Sequence, residues 1–102
     1  MLFGLTLFGA MEAFYVYILY SKGLDRYYVG QTSNVENRLS FHNHPDRNRI
    51  WTKRGIPWEL KICITFPSRS EAISAEIFIK KQKSRKTILD IIENGWKPRE
   101  GI

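Results

Sequence analysis

The sequence predicts a small α+β domain, and three observations carry that reading. Two β-forming runs rich in aromatic residues, Phe14 to Tyr20 and Arg26 to Gln31, flank the polar turn Ser21-Lys22-Gly23-Leu24-Asp25, which is the pattern of a hairpin. A third β-like run extends from Trp58 to Phe66 and stops at Pro67. Between and after these runs, Thr32, Ser33 and Asn34, then Ser68, then Ser84 offer helix caps ahead of segments with helical apolar spacing.

Within the hairpin, alternation places Tyr15, Tyr17 and Leu19 on one face of the first strand, and Tyr28 and Gly30 on one face of the second. After the caps at Thr32, Ser33 and Asn34, residues 35–43 read as a short helix. Val35, Arg38, Leu39 and His42 fall at i, i+3, i+4 and i+7, so an arginine and a histidine share a face with two apolar anchors. The stretch from His44 to Pro57 reads as a long loop broken by Pro45, Gly55 and Pro57, and it carries Trp51 with four basic residues. Ser68 and Glu71 form a capping box for a helix from Arg69 to Gln82, whose narrow apolar face holds Ala72, Ala75 and Ile79 with Glu76 among them. Ser84 caps a last helix over 85–94, Ile88, Leu89, Ile91 and Ile92 anchor it, and Gly95 stops it. Residues 96–102 read as an irregular tail.

With 102 residues the chain has room for one domain, and 43% hydrophobic content suits a globular core. Its boundaries are drawn as an apolar, uncharged extension at residues 1–10 and a single domain over 11–102. The extension is too short to cross a bilayer, which takes about 20 residues, and it lacks the basic start of a signal peptide. The net charge is +6, with one basic group at Arg47, Arg49, Lys53 and Arg54 and another at Lys80, Lys81, Lys83, Arg85 and Lys86. Such patches suit a polyanion, nucleic acid above all, or else simply keep the surface solvated. Cys63 is the single cysteine, so an internal disulfide and a cysteine zinc site are excluded; between Ile62 and Ile64 it reads as a buried structural thiol, compatible with a reducing cytoplasm. No phosphate-binding loop, dinucleotide fingerprint or Ser-His-Asp order is present.

Five side chains invite a chemical reading beside a structural one. Glu76, a carboxylate among small apolar neighbours, is either paired with Lys80 one helical turn on or a ligand for Mg²⁺ or Mn²⁺. Arg38 either lies along its helix towards solvent or presents its guanidinium fork to a phosphate. His42 is a packed structural histidine or a member of the same polar site. Tyr17 and Tyr28 are packing residues unless their hydroxyls converge with Arg38 and Glu76. Trp51 and Trp58 are anchors of core or loop, or platforms for bases.

The segments FYVYIL at 14–19, YYVGQTSNVENRLSFHN at 27–43, WEL at 58–60 and EAISAEIFIKKQK at 71–83, in that order and spacing, resemble the GIY-YIG nuclease superfamily, in particular its small stand-alone bacterial members. The resemblance spans about residues 13–93. It implies a three-stranded antiparallel sheet flanked by about three helices, and divalent-metal-dependent hydrolysis of nucleic-acid phosphodiesters with Mg²⁺ or Mn²⁺. Tyr17 and Tyr28 match the tyrosines of the two named motifs, Arg38 the helix arginine and Glu76 the metal-binding glutamate. His42 stands where many members carry a polar residue or histidine. The first motif departs from the pattern, since Tyr15 replaces its glycine; Val29 replaces an isoleucine in the second, and Gln31 stands where some members have lysine.

On this footing Glu76 would hold the metal and Arg38 a nonbridging phosphate oxygen. Tyr17 or Tyr28 would orient or deprotonate water, and His42 would accept a proton in relay. Arg47, Arg49, Lys53, Arg54, Lys80, Lys81 and Lys83 would hold the nucleic-acid backbone, DNA ahead of RNA. No membrane is implied, cytoplasmic location is expected, and specificity would come from nucleic-acid structure or from a protein partner. The competing expectations are a non-catalytic nucleic-acid-binding module of the same fold, and a protein-interaction domain assembled through residues 1–10.

Overall fold

A computed structural model of the chain describes residues 13–48 and 50–97. The extension at 1–10, Arg49 and the end of the tail beyond Lys97 lie outside the described residues. Three strands and three helices follow in the order β1 (Phe14–Ser21), β2 (Arg26–Thr32), α1 (Val35–His42), a 3₁₀ turn (Trp51–Gly55), β3 (Trp58–Phe66), α2 (Arg69–Gln82) and α3 (Arg85–Asn94). The strands form one antiparallel sheet with β1 in the centre, ordered β2-β1-β3. The predicted α+β class, the hairpin and every predicted helix are therefore present.

Because β1 is central, both of its faces are covered. Val16, Ile18 and Leu19 are 0% exposed and Tyr17 is 1% exposed, so this strand sets the partition of the molecule. On one side, Phe14, Val16, Ile18, Val29 and Phe66 pack against Ala72, Ala75 and Ile79 of α2 and Ile91 of α3. The alanines let α2 lie close to the sheet. On the other side, Tyr17, Leu19 and Trp58 pack with Tyr28, with Val35 and Leu39 of α1, and with Ile56.

Each helix begins where its cap side chain takes an otherwise unpaired backbone N–H. Asn34 accepts from the N–H of Asn37 at 3.0 Å, Ser68 from Glu71 at 3.2 Å and Ser84 from Thr87 at 3.1 Å. Lys83, in the left-handed region at φ 48°, turns the chain from α2 towards α3, and Gly95 at φ 85° ends α3 with its N–H donated to Ile91.

Two sequence expectations are corrected here. The stretch 44–57 is not a plain loop: it closes in the 3₁₀ turn, in which Thr52 and Gly55 are buried. Gly55 is required there because a Cβ would lie 2.7 Å from Cε2 of the Trp58 indole, and that indole donates to the Thr52 carbonyl at 2.6 Å. The glycine and prolines thus bound a packed turn rather than a solvated segment. Cys63 is exposed, not buried. Ile62 and Ile64 pair with Ile18 and Val16 and pack inward, so alternation along the edge strand turns the residue between them outward. Its thiol pKa is nonetheless pushed up by partial burial, which keeps it a protonated, weak nucleophile.

Gly30 is the position where the sheet makes room for a site residue. It pairs with Tyr17 across β1 and β2, and a Cβ there would sit inside the phenol, 2.6 Å from Cζ. Gly30→Ala is expected to displace Tyr17 and cost about 1–3 kcal/mol of stability through overpacking. Denaturant unfolding and near-ultraviolet circular dichroism check this; an unchanged midpoint and tyrosine signal would show that the ring does not depend on the gap.

Candidate active site

The sheet supplies two phenols. Tyr17 of β1 stands opposite Gly30, and Tyr28 of β2 stands opposite Leu19, so the two rings share a face and meet diagonally, 6.2 Å apart. The bare backbone at Gly30 admits the Tyr17 ring, and the hydrophobic contacts of Leu19, Leu39 and Trp58 surround the pair.

Helix α1 supplies the next two groups from the face that Val35 and Leu39 anchor. His42 is buried, its Nε2 3.3 Å from the Tyr17 hydroxyl and its ring 4.7 Å from that of Tyr28. Arg38, one turn earlier, stacks its guanidinium 4.6 Å from the Phe41 ring and lies close enough to the Tyr17 hydroxyl to interact with it. Helix α2 brings the fifth group. Glu76 lies near enough to Tyr17 to act on its ionisation, and Lys80, one turn on, places its ammonium 5.9 Å from the Tyr28 ring. Tyr28, Arg38 and His42 therefore adjoin Tyr17, and Glu76 reaches it through its charge.

The electrostatics follow from burial. The Tyr17 pKa is raised above 10, first by desolvation, then by the neighbouring Tyr28 and Glu76, while Arg38 pulls it back. His42 is lowered to about 4, first by burial and then by the positive charge of Arg38. At neutral pH both groups are uncharged. Glu76 is 18% exposed and accepts an ion-paired hydrogen bond from Lys80 at 2.6 Å. Of the two alternatives raised for Glu76, the structure shows the lysine pair.

A groove of about 870 Å³ is lined by Arg26, Tyr28, Trp51, Lys80, Lys83 and Arg85 among others; of the five site residues Tyr28 lines it, and Tyr17, Arg38, His42 and Glu76 do not. Of the predicted phosphate-holding residues, Lys80 and Lys83 line it. Lys53 and Arg54 are exposed on the 3₁₀ turn that also carries Trp51; Arg47 and Lys81 are exposed away from the lining, and Arg49 is outside the described residues. Arg85 is held by Asp25 at 2.6 Å, which lowers the carboxyl pKa of Asp25 and leaves less of the guanidinium free. Trp51 is 51% exposed and packs edge-on against Tyr28 and Trp58, whereas Trp58 is core.

Sequence reasoning missed the residues behind His42. The buried Thr52 places Oγ1 3.2 Å from His42 Nδ1, and the buried Asn48 donates to Thr52 Oγ1 and to the His42 carbonyl, each at 2.8 Å. Asn43 clamps the start of β3, accepting from the Trp58 N–H and donating to the Trp58 carbonyl. The only sequence signal was the clustering of short polar side chains between glycine and proline breakers, which is also the signature of a solvated loop.

Among the described residues no three His, Cys, Asp or Glu side chains are grouped to hold a metal ion. That suits neither zinc nor an all-protein calcium cage. It is compatible with a hard cation such as Mg²⁺, which is commonly held by one or two carboxylates and otherwise by water and phosphate oxygens.

Comparison with known proteins places the chain in a family. The family model for the GIY-YIG catalytic domain matches residues 13–88. The UPF0213 protein YsiG of Lactococcus lactis is 31% identical over 84 residues, covering 82% of this chain and 79% of its own. A UPF0213 protein of Bacillus licheniformis is 37% identical over 75 residues, covering 74% and 73%. A fungal protein of Pyrenophora tritici-repentis named structure-specific endonuclease subunit slx1 is 38% identical over 71 residues, which cover 65% of this chain and 20% of the relative. No solved structure matches significantly. The match over most of the chain and the gathering of Tyr17, Tyr28, Arg38 and Glu76 identify this protein as a member of the GIY-YIG family of endonuclease domains.

Proposed function

We propose that this protein is a divalent-metal-dependent endonuclease that hydrolyses nucleic-acid phosphodiesters and selects its substrate by structure rather than by sequence. The observation that carries the reading is the cluster of Tyr28, Arg38 and His42 around Tyr17, with Glu76 acting on the same phenol and Tyr28 reaching a groove that Lys80 and Lys83 also line. The fungal relative's name, a structure-specific endonuclease subunit, supports the class of substrate and the idea of a partner that supplies specificity. DNA is the substrate to test ahead of RNA. No helix among the described residues is long and apolar enough to cross a membrane.

In this reading Lys80 and Lys83 hold backbone phosphates, contacts that position the strand without reading bases. Trp51, half exposed and braced by Tyr28 and Trp58, offers a face on which an unpaired base could stack, so junctions and flaps suit the groove better than uninterrupted duplex. Arg38 binds a nonbridging oxygen and stabilises the charge that grows there. Tyr17, with Arg38 against its hydroxyl, or the more accessible Tyr28, orients the attacking water; a phenol takes that water's proton only as the phenolate, which Arg38 favours at Tyr17. Glu76 would hold the Mg²⁺ or Mn²⁺, which when bound supplies Lewis-acid stabilisation of the phosphate and leaving oxygen.

The second reading, a non-catalytic nucleic-acid-binding module, has one observation in its favour: the Lys80 ammonium already occupies the Glu76 carboxylate.

Cleavage assays on linear, flapped and branched DNA and on RNA, with Mg²⁺ or Mn²⁺, separate the two. Arg38→Ala is expected to slow cleavage about 100- to 1,000-fold, Glu76→Gln to remove metal-dependent turnover, and all variants to keep binding. Turnover undiminished in Glu76→Gln would overturn the metal role; binding without cleavage on every substrate would establish the module.

Lys80→Ala divides the two functions of that lysine. It is expected to lower the metal concentration needed for half-maximal activity, because Glu76 is freed, while weakening nucleic-acid binding and flattening its salt dependence by about one unit of slope. A metal requirement that stays the same or rises would show that the lysine does not compete for the carboxylate.

Acid should destabilise the fold through His42. Its folded pKa of about 4 lies below the ordinary 6.5, so protons bind the unfolded chain first. The stabilising effect is complete above pH 6.5 and is lost as pH falls towards 4. Urea unfolding between pH 7.5 and 4 is expected to show a steeper decline for the wild type than for His42→Gln; parallel curves would mean that the ring titrates freely.

A further inference from the structure

His42 lies between two buried hydroxyls, Thr52 at Nδ1 and Tyr17 at Nε2, and a neutral imidazole can accept from one of them while donating to the other, so the hydrogen bonds behind the ring bear on which nitrogen carries the proton. Asn48 is the fixed end of the chain. Its Oδ1 accepts from the backbone N–H of Ile50 at 3.1 Å, and its Nδ2 faces the His42 carbonyl at 2.8 Å, which can only accept. The amide orientation is therefore unambiguous, and the group facing Thr52 Oγ1 at 2.8 Å is an N–H donor. Thr52 is 0% exposed, so its own hydroxyl proton needs an acceptor within the protein. Among the described residues the acceptor offered to it is His42 Nδ1, at 3.2 Å. A hydroxyl that donates to Nδ1 requires that nitrogen to be unprotonated. In a neutral imidazole the proton then sits on Nε2, which faces the Tyr17 hydroxyl at 3.3 Å.

We infer that Asn48 and Thr52 are positioning residues that lock His42 as its Nε2–H tautomer, so that His42 donates a hydrogen bond to the Tyr17 oxygen rather than accepting a proton from it. This reverses the relay expected from the sequence. His42 joins Arg38 as a second donor aimed at the same oxygen, and the two together favour negative charge on Tyr17, against the desolvation that opposes it. The catalytic consequence rests on the nuclease reading given above; the tautomer does not.

Nitrogen-15 NMR of the histidine rings in the intact protein near neutral pH reads the tautomer directly, without substrate. The expected signature for His42 is a pyridine-like Nδ1 and a pyrrole-like Nε2. Thr52→Val, which keeps the shape and removes the hydroxyl, is expected to shift His42 towards the Nδ1–H form or a mixture, and Thr52→Ser to retain the wild-type signature. A pyrrole-like Nδ1 in the wild type would overturn the inference, as would a Thr52→Val spectrum identical to wild type in a folded protein.

Cleavage rates give the second arm. His42→Gln can still present an amide N–H to Tyr17 but cannot act as a base at neutral pH. It is expected to retain clearly more activity than His42→Ala, which should lose about 10- to 100-fold, the range for a hydrogen bond to a charged group. Equal losses of about 100- to 10,000-fold in both variants would mark His42 as the base and overturn the donor role. A wild type that shows the Nε2–H signature but cleaves nothing would leave the lock standing and remove the nuclease reading alone.

Discussion

Burying a phenol in the middle of the sheet is the constraint on which the rest of this structure depends. β1 is covered on both faces, and three of the four side chains from Val16 to Leu19 meet that condition simply by being apolar. Tyr17 does not. A buried hydroxyl without a partner costs about 1–3 kcal/mol, so the surroundings must supply donors and acceptors as well as space. Gly30 supplies the space, because any Cβ would occupy the ring. α1 supplies His42 and Arg38, and the 3₁₀ turn supplies Thr52 behind the histidine. The same partners that make the burial tolerable also polarise the oxygen, so fold and chemistry impose one requirement rather than two.

That arrangement gives the site an unusual charge pattern. The two groups at its centre, Tyr17 and His42, are both held neutral at physiological pH, one by a raised pKa and the other by a depressed one. Charge is kept at the margin, on Arg38, Glu76 and Lys80. Electrostatic interactions strengthen as local dielectric falls, so a phosphate drawn into the groove by Lys80 and Lys83 would meet oriented dipoles in the interior and full charges at the edge. Such a layout suits a substrate that arrives carrying its own negative charge.

Much of this was legible in the sequence because it follows from periodicity and caps. The unbroken β-forming run before Ser21, the cap candidates at 32–34 with Ser68 and Ser84, and the stop at Gly95 each state a local preference that the tertiary structure keeps. Arg38 and His42 were placed on one face by helical spacing alone, and that face does turn to Tyr17. What was not legible depends on contacts between distant segments. Asn48 and Thr52 are ordinary loop residues until the chain folds back and buries them under α1, and no spacing rule connects Thr52 with His42 ten residues earlier. Cys63 was misplaced for the opposite reason: an apolar run was read as uniformly buried, although its alternation already turned the middle residue outward on an edge strand.

Glu76 shows why its two readings need not exclude each other. The contact with Lys80 spans one helical turn, and half of the lysine remains exposed. Pairs of this kind on helix surfaces contribute only about 0.3–0.5 kcal/mol, since solvent screens the attraction and two long side chains lose freedom to form it. Such a pair cannot hold the carboxylate against a divalent cation accompanied by a phosphate. What it can do is keep a partly buried carboxylate charged and close to one rotamer, so that the group is not left desolvated and alone beside the raised phenol of Tyr17. When a strand enters the groove, its phosphates offer Lys80 a competing anion at the moment when Glu76 would gain a competing cation. On the proposed roles, such an exchange of partners would conserve charge on both sides and would tie the release of the carboxylate to the arrival of substrate.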